Sequence, residues 1–539
     1  MTVFLRKLLS VMSMQKRIIA AFTVFCLLIG CTCLRLYVVC TKGTEYVSGL
    51  NHHFSVEISK LRGEITDCKS RKLTDIDYNN FVVAKPTAKA LSEIEKTVDE
   101  DLLSDLKERM EKGNAVAFGI GKNEISENSD VKQIKVYKRY NGLAQHILGY
   151  VNSDSDGVTG LEQAFNTQLK TGKTLTARMI VGANGSVLNG TEIEILNNYT
   201  PASSVQLTVD RDIQQTAENA LDKFGVEQGG AVVIDSATGA IRAMASRPNY
   251  NGDSVSEYLT DETQPLVNRC LQAYAVGSVF KVAVCMSAIE NGIDDFQYNC
   301  VGHCKVDGIS FNCFNSKVHG ELDMQKALEC SCNCYFIELA KKIGSVNLLS
   351  TVKLLGFGQE IKLADGMLSQ SGTIPSEDKL KLSGELANFS FGQGTFTASM
   401  LQIAQMIMTV ANGGKYITPY LVEKAFSENG EQTFAHKPTY PIVVSSKYTA
   451  DRLTQMLTGV VERGNAVGAK PDKKTAAGKT ATAQTGTFYK NGVEICNTWF
   501  GGFFPAESPK YIVVILKQGG NSGAEDCAPV FKYIADNID

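Results

Sequence analysis

The sequence predicts an α+β protein whose main domain closes one sheet from both ends of its chain, behind a single N-terminal membrane-spanning helix. Three observations carry that prediction. An uncharged apolar run lies near the N-terminus, a strand–helix–hairpin pattern begins near residue 205, and after a long helical middle the chain ends in apolar strands. Strands, then helices, then strands is the order expected of an α+β layer architecture.

The N-terminal run from Ile18 to Leu34 has no charge; Arg35 interrupts it and Leu36 to Val39 extend it. An arginine near a helix end can snorkel to the headgroups, so residues 18–39 read as one span. Arg6, Lys7, Lys16 and Arg17 precede it, which leaves residues 1–17 as a cytoplasmic tail and sends the rest of the chain out. A cleaved signal peptide would show a short apolar region and a small-residue site, and neither is clear. Leu28-Ile29-Gly30-Cys31 also matches a lipoprotein cleavage site with Cys31 as the lipidated residue. All three readings place the bulk of the chain outside the cytoplasm.

Behind the span, residues 40–204 form one mixed, polar region, and Ser92 to Lys112 reads there as a solvated helix. A turn-rich stretch at 197–204 marks the boundary to a domain at 205–539. Val205 to Val209 reads as a strand and Arg211 to Phe224 as a helix. Ala231 to Ile234 and Ile241 to Ala245 make a hairpin around Ser236-Ala237-Thr238-Gly239. Met324 to Lys342 and Ser399 to Val410 read as helices, and Trp499 to Phe504 and Tyr511 to Leu516 as strands, the last of a fully buried type.

Composition removes several function classes. The 539 residues carry a net charge of −3, with no basic excess to meet phosphates, so nucleic acid is excluded as a partner. The 15 cysteines are uneven: Cys26, Cys31, Cys33 and Cys40 sit in the N-terminal apolar stretch, Cys68 stands alone, and the others follow residue 260. That is not the framework of a small disulfide scaffold. No H-E-x-x-H or G-x-S-x-G occurs, so metalloprotease and α/β-hydrolase readings lack support.

Serine is a weak nucleophile and needs an adjacent base. Ser278-Val279-Phe280-Lys281 supplies both, because positions i and i+3 at a helix start share a face. The apolar residues Val282 to Met286 would bury that helix, and burial lowers a lysine pKa toward the range of a general base. Ser331-Cys332-Asn333 and Lys479-Thr480-Ala481-Thr482 follow, in the order S-x-x-K, S-x-N, K-T-x of penicillin-recognising enzymes. Ser331 can pass a proton between Lys281 and a leaving amine, and Asn333 offers an amide to a substrate peptide. Lys479 adds positive charge, and Thr480 and Thr482 offer hydroxyls to a carboxylate. The backbone N–H groups of Ser278 and Thr482 would make the oxyanion hole.

With these motifs in order, the chain resembles a class B penicillin-binding protein over nearly all its length. The segment from Tyr274 to Lys281 resembles the family's nucleophile motif, with Val276 where proline is usual. Ser331 to Phe336 resembles the second motif. Phe391-Gly392-Gln393-Gly394 and Ala411-Asn412-Gly413-Gly414 resemble two further signatures. Gly478 to Gln484 resembles the third motif, with Ala481 where glycine is usual, and Trp499 to Phe503 follows as the pattern leads one to expect. Leu61 to Asp67, Ala144 to Tyr150 and Gly160-Leu161-Glu162 resemble the family's pedestal domain.

The resemblance implies an antiparallel sheet with helices on both sides, on an elongated pedestal of residues 40–204. It implies a peptidoglycan D,D-transpeptidase in which Ser278 attacks the D-Ala-D-Ala end of a stem peptide, releases D-alanine and passes the acyl group to a neighbouring amine. β-Lactams would acylate the same serine. No metal or organic cofactor is implied, and glycan polymerisation would fall to a membrane partner, a SEDS-type glycosyltransferase. The methyl of Ala481 would cost ~1–3 kcal/mol if it overpacked an unchanged pocket and nothing if it pointed away. The expectation is a working enzyme with altered β-lactam affinity; an impaired scaffold, or a β-lactam-hydrolysing or -sensing relative, is the alternative. Cys300, His303, Cys304 and Cys313 form a ligand-like cluster without standard zinc spacing. A Cys300–Cys313 disulfide, in keeping with cysteines at such places in related proteins, a zinc site and free thiols are the open readings. Cys330, Cys332 and Cys334 read as small buried residues, and His319 and Trp499 as structural.

Overall fold

A computed structural model of the protein describes residues 14–47, 52–182, 187–188, 190–197, 203–489 and 492–539. The expected boundary at 197–204 falls mostly outside them. The N-terminal helix runs from Met14 to Val47, and its segment Met14–Tyr37 is long and apolar enough to cross a membrane, with a mean hydropathy of 2.2 and nothing packed on it. This fits a single-pass membrane protein, and the expected span at 18–39 lies within that helix.

The chain divides into two compact units. The first takes in the N-terminal helix, residues 79–136 and residues 174–198. Its three-stranded sheet Val116–Gly121, Tyr78–Ala84, Val131–Tyr137 packs Val82, Val116 and Phe118 against Ile94, Leu106 and Met110. The single helix expected over Ser92 to Lys112 is two, Ala88–Ile94 and Glu100–Glu111. Asp99 caps the second by accepting from the Leu102 N–H, a stop-and-start signal inside a charge-rich stretch. That second helix buries Leu106 and Met110, so only part of its surface is solvated.

The second unit comprises residues 60–78, 137–173 and 199–539, which differs from a division at 204/205. The reason is long-range pairing. Strand Glu64–Thr66 lies parallel to Ser204–Leu207, which pairs antiparallel with Val422–Phe426. Arg62, from the first pedestal-like motif, donates to the buried Glu162 of the third at 2.7 and 3.0 Å, and Arg139 donates to the same carboxylate at 2.7 Å. The first and third pedestal-like motifs are therefore joined within the second unit.

The core sheet is five-stranded and wholly antiparallel. Helix α1 (Arg211–Lys223) precedes strands β1 (Gly229–Asp235) and β2 (Ile241–Arg247), the expected hairpin. The helical middle contributes α2 (Lys281–Glu290), α3 (Asn333–Ile343), α4 (Met400–Ala411) and α5 (Lys447–Glu462). Strands β3 (Ala477–Phe488), β4 (Glu494–Phe504) and β5 (Tyr511–Gln518) return, and α6 (Ala528–Asn537) ends the chain. The order β2-β1-β5-β4-β3 puts β5 at the centre, where Tyr511 to Leu516 are all buried, and β3 at one edge. Both chain ends thus build one sheet, as expected.

Successive side chains on β4 separate two faces. Phe500 and Phe504 meet Phe531 of α6 on one face. A Cβ at Gly501 would lie 3.3–3.4 Å from Val279, Ile403 and Ile407 on the other. Helices therefore cover both faces. The expected helix from Met324 to Lys342 is broken into Met324–Glu329 and α3, with Ser331 at φ +55 between them. The break has a local cause: the Cys332 thiol accepts from the Tyr335 N–H and caps α3.

Candidate active site

Ser278 lies on a short 3₁₀ turn, Gly277–Phe280, that runs straight into α2 at Lys281. Serine and lysine are therefore on one face of one turn, as the spacing predicts. The turn is clamped by backbone. Gly277 (φ +65) donates its N–H to Gly392 O at 2.8 Å. A Cβ on Gly392 (φ +77) would fall 2.2 Å from Gly277 O. This is the close approach for which the Phe391-Gly392-Gln393-Gly394 signature needs its first glycine. Phe280 anchors the turn from below among Phe357, Phe389 and Phe396, with ring centroids 4.6–6.1 Å away.

Lys281 is fully buried. Its ammonium donates to Ser331 O at 2.8 Å, Ser331 Oγ at 3.1 Å and Asn333 Oδ1 at 2.8 Å, so all three protons are directed to the second motif. Burial pushes the Lys281 ammonium down to about 8, against the opposing effect of the nearby cysteines. The Phe336 ring centroid is 5.2 Å from Nζ. Asn333 donates from Nδ2 to Asn312 O at 3.2 Å, so both ends of its amide are engaged. The left-handed backbone at Ser331 turns both acceptors inward, and no glycine or proline marks that turn in the sequence.

The third motif lies on edge strand β3 in unbroken register with β4 from Ala477 to Gln484. Lys479 is fully buried and donates to Thr480 O at 2.9 Å. Burial, then repulsion from Lys281, holds its ammonium well below its ordinary value. Ala481 pairs with Trp499, and directly paired residues share a face. The Trp499 indole N–H donates to Ala275 O at 2.9 Å, so this face looks toward the nucleophile segment. A Cβ at Gly277 would sit 3.1 Å from Ala483 Cβ on the same face and 3.0 Å from Thr482 O.

Thr480 and Thr482 point to the opposite face. Thr480 is buried and donates to Asn465 Oδ1 at 3.2 Å. Thr482 accepts from the Gly523 N–H at 3.3 Å and keeps its own proton to offer. Asn465 and Gly523 are the partners that sequence reasoning missed, since neither sits in a motif. Trp499, expected to be structural, ties the strand before Ser278 to the sheet.

Cys300 and Cys313, the pair expected to form a disulfide, stand as free thiols in this structure with their sulfurs 3.7 Å apart. Among the described residues, the side chains close enough to share one ion are Cys300, Cys313, His319 and Cys332, all ligand atoms lying within 4.8 Å of one another. His303 and Cys304 are replaced in that set by His319 and Cys332, because strand pairing carries Cys300 alongside Gly320 rather than alongside His303.

The family model of the penicillin binding protein transpeptidase domain matches residues 229–536. The chain is 28% identical over 421 residues to stage V sporulation protein D of Bacillus subtilis, covering 74% of this chain and 62% of that protein's length. It is 26% identical to the peptidoglycan D,D-transpeptidase MrdA of Acinetobacter baumannii, covering 78% of this chain and 70% of the relative. The solved D,D-transpeptidase domain of a peptidoglycan glycosyltransferase from Eggerthella lenta superposes with a TM-score of 0.64 at 25% identity, covering 89% of this chain and 98% of that one. Ser278, Lys281, the second motif and β3 all lie within the matched span, and the chain belongs to the penicillin-binding protein transpeptidase family as a class B member.

Proposed function

We propose that the protein is a peptidoglycan D,D-transpeptidase acting through a Ser278 acyl-enzyme. The observation that carries this reading is the buried Lys281, one helical turn from Ser278 and held by both polar members of the second motif. In its neutral form Lys281 takes the Ser278 proton as Oγ attacks the carbonyl of the penultimate D-alanine of a stem peptide. Ser331, hydrogen-bonded to Lys281, returns a proton to the departing D-alanine amine. An amine of a second stem peptide then attacks the ester, and Ser278 recovers its proton. The N–H groups of Ser278 and Thr482 would hold the oxyanion, Lys479 would supply positive potential, and Thr482 would donate to the terminal carboxylate. Thr480 supports the strand through Asn465. Penicillin binding protein 3 of a mycobacterium has been solved in complex with aztreonam and with ampicillin, and β-lactams would likewise acylate Ser278 here.

The membrane helix would hold the catalytic unit on the extracytoplasmic side, where stem peptides are found, with the N-terminal residues in the cytoplasm. Residues 40–204 would serve as the pedestal, and a SEDS-type glycosyltransferase in the membrane would supply the glycan strands. Labelled penicillin should leave one adduct per chain, and peptide mapping should place it on Ser278. An adduct on another residue, or none, would overturn the reading.

The Ala481 methyl bears on rate more than on competence. It is 3% exposed, on the face toward the nucleophile, in a ladder without distortion. Ala481→Gly is therefore expected to raise the penicillin acylation rate by up to ~tenfold, the low end of an overpacking cost. Stopped-flow acylation of the two proteins checks this. Equal rates would show that the methyl fits without cost, and a slower variant would show that it supports the strand.

A further inference from the structure

We infer, on the transpeptidase reading, that Asp526 is a positioning residue: it holds the turn at 519–523 so that Thr482 presents its hydroxyl proton to the terminal carboxylate of the substrate. Thr482 Oγ1 accepts the Gly523 N–H at 3.3 Å. A hydroxyl has one proton to give and two lone pairs to receive. An N–H that occupies one lone pair restricts rotation about the C–O bond and leaves the proton facing away from Gly523. A hydroxyl that accepts one bond also donates the next more strongly. Where Gly523 stands therefore decides where Thr482 donates.

The sheet lets Gly523 come this close. Thr482 pairs directly with Thr498 of β4, so the two side chains share one face, and the turn after β5 crosses that face. An added Cβ at Gly520 would fall 2.5 Å from Thr498 Oγ1. One at Gly523 would fall 2.4 Å from Trp499 O and 2.5 Å from Ala481 O. Glycine at both places is what allows the turn to lie directly on the two strands of the third motif. The Gly520 N–H donates to Cys496 O at 3.2 Å and ties the start of the turn to β4.

Asp526 is the polar centre of this turn, at the end of the short helix Gly523–Asp526. Its Oδ2 accepts the Asn521 N–H at 2.7 Å and the Ser522 N–H at 3.0 Å, and its Oδ1 accepts from Lys517 Nζ at 3.1 Å. The side chain is only 10% exposed. The carboxylate thus gathers the two residues just before Gly523 and anchors them to the end of β5. Bonds to an ionised acceptor are shorter and stronger than neutral ones. Removing the carboxylate takes an acceptor from two backbone N–H groups and from Lys517, and the turn loses the contacts that bring Gly523 onto Thr482. All three partners belong to the turn and to β5, so the effect on substrate passes through Gly523.

The test compares penicillin G with its methyl ester on the full-length protein in detergent. The two share the ring that acylates and differ in the carboxylate, which stands in for the terminal carboxylate of a stem peptide. The quantity read is the ratio of their acylation rates, acid over ester. A loss of stability or a shift of the oxyanion hole slows both and leaves the ratio unchanged. Asp526→Ala should lower the ratio about tenfold, the low end for a hydrogen bond to a charged group. Thr482→Val should lower it at least as far, and adding Asp526→Ala to Thr482→Val should lower it no further. A ratio unmoved in Asp526→Ala, or the same loss with and without the Thr482 hydroxyl, would overturn the role. Because Asp526→Ala can fail to fold, a second arm leaves the chain unaltered. A carboxylate held by Thr482 steadies the turn as the turn steadies Thr482. Amide exchange across residues 519–527 should therefore be slower in the acyl-enzyme from penicillin G than in the one from the ester. Equal exchange would overturn the coupling. With no penicillin adduct on Ser278 the transpeptidase reading falls and this role with it. An adduct on Ser278 with an unmoved ratio sinks the role of Asp526 alone.

Discussion

Lys281→Met is expected to slow β-lactam acylation of Ser278 by ~10²–10⁴-fold, the usual contribution of a positioned general base. Methionine nearly fills the volume of the buried lysine and removes only the amine. Three acceptors, Ser331 O, Ser331 Oγ and Asn333 Oδ1, then lose their donor. Thermal unfolding should therefore fall as well, by a few degrees, and the acylation rate must be measured well below the new midpoint. The pH profile of the native protein gives an independent reading. A base acts only when neutral, and burial has brought Lys281 down to about 8. Below that pH the ammonium dominates, with roughly a tenth of molecules neutral one unit lower. The acylation rate should rise about tenfold per pH unit up to about 8 and level off above it. A lysine at its ordinary value would keep the rate rising past pH 10. A variant within tenfold of the native rate, or a flat profile between pH 6 and 8, would show that another group takes the proton.

The burial of Lys281 on the turn that carries Ser278 was legible in the sequence because both features are local: Ser278 is three residues away, and Val282 to Met286 announce an apolar helix. The acceptors Ser331 and Asn333 were legible as a motif, but their geometry was not. The stretch Met324 to Lys342 has helical periodicity throughout, and the left-handed Ser331 interrupts it without a glycine. The cap that restarts the helix is a cysteine thiol, outside the Ser, Thr, Asp and Asn preference that a reader looks for. The same gap hid which side chains gather around Cys300. His303 and Cys304 are near Cys300 in sequence, but hairpin pairing replaces them with His319 and Cys332. Strands β1, β2, β4 and β5 followed from apolar runs and, for the first pair, the Ser236–Gly239 turn, and the assembly of both chain ends into one sheet followed from their order. The division into units did not, because the parallel pairing of Glu64–Thr66 with Ser204–Leu207 joins segments more than 130 residues apart, which no local pattern reports.

Gly392→Ala is the second large effect expected, and it acts without removing any chemical group. Residue 392 sits at φ +77, where an L side chain costs ~1–2 kcal/mol. Beyond that, the new Cβ would lie 2.2 Å from Gly277 O and 2.9 Å from Gly277 N, both backbone atoms next to the nucleophile. No side chain can swing aside to relieve this, so the turn carrying Ser278 must move. A displacement near 1 Å at a reacting atom costs on the order of 10²-fold in rate. Penicillin acylation should therefore drop by about that factor, a larger loss than backbone strain alone would cause. Gly430→Ala separates the two contributions. Gly430 has φ +78, with nothing within 4 Å of its added Cβ, in the turn between Val422–Phe426 and Gln432–Ala435. It should lose comparable backbone stability and acylate at the native rate. If Gly392→Ala acylated as fast as Gly430→Ala, the nucleophile turn would be free to give way, and the contact between the Phe391–Gly394 signature and Gly277 would be packing without a positioning role.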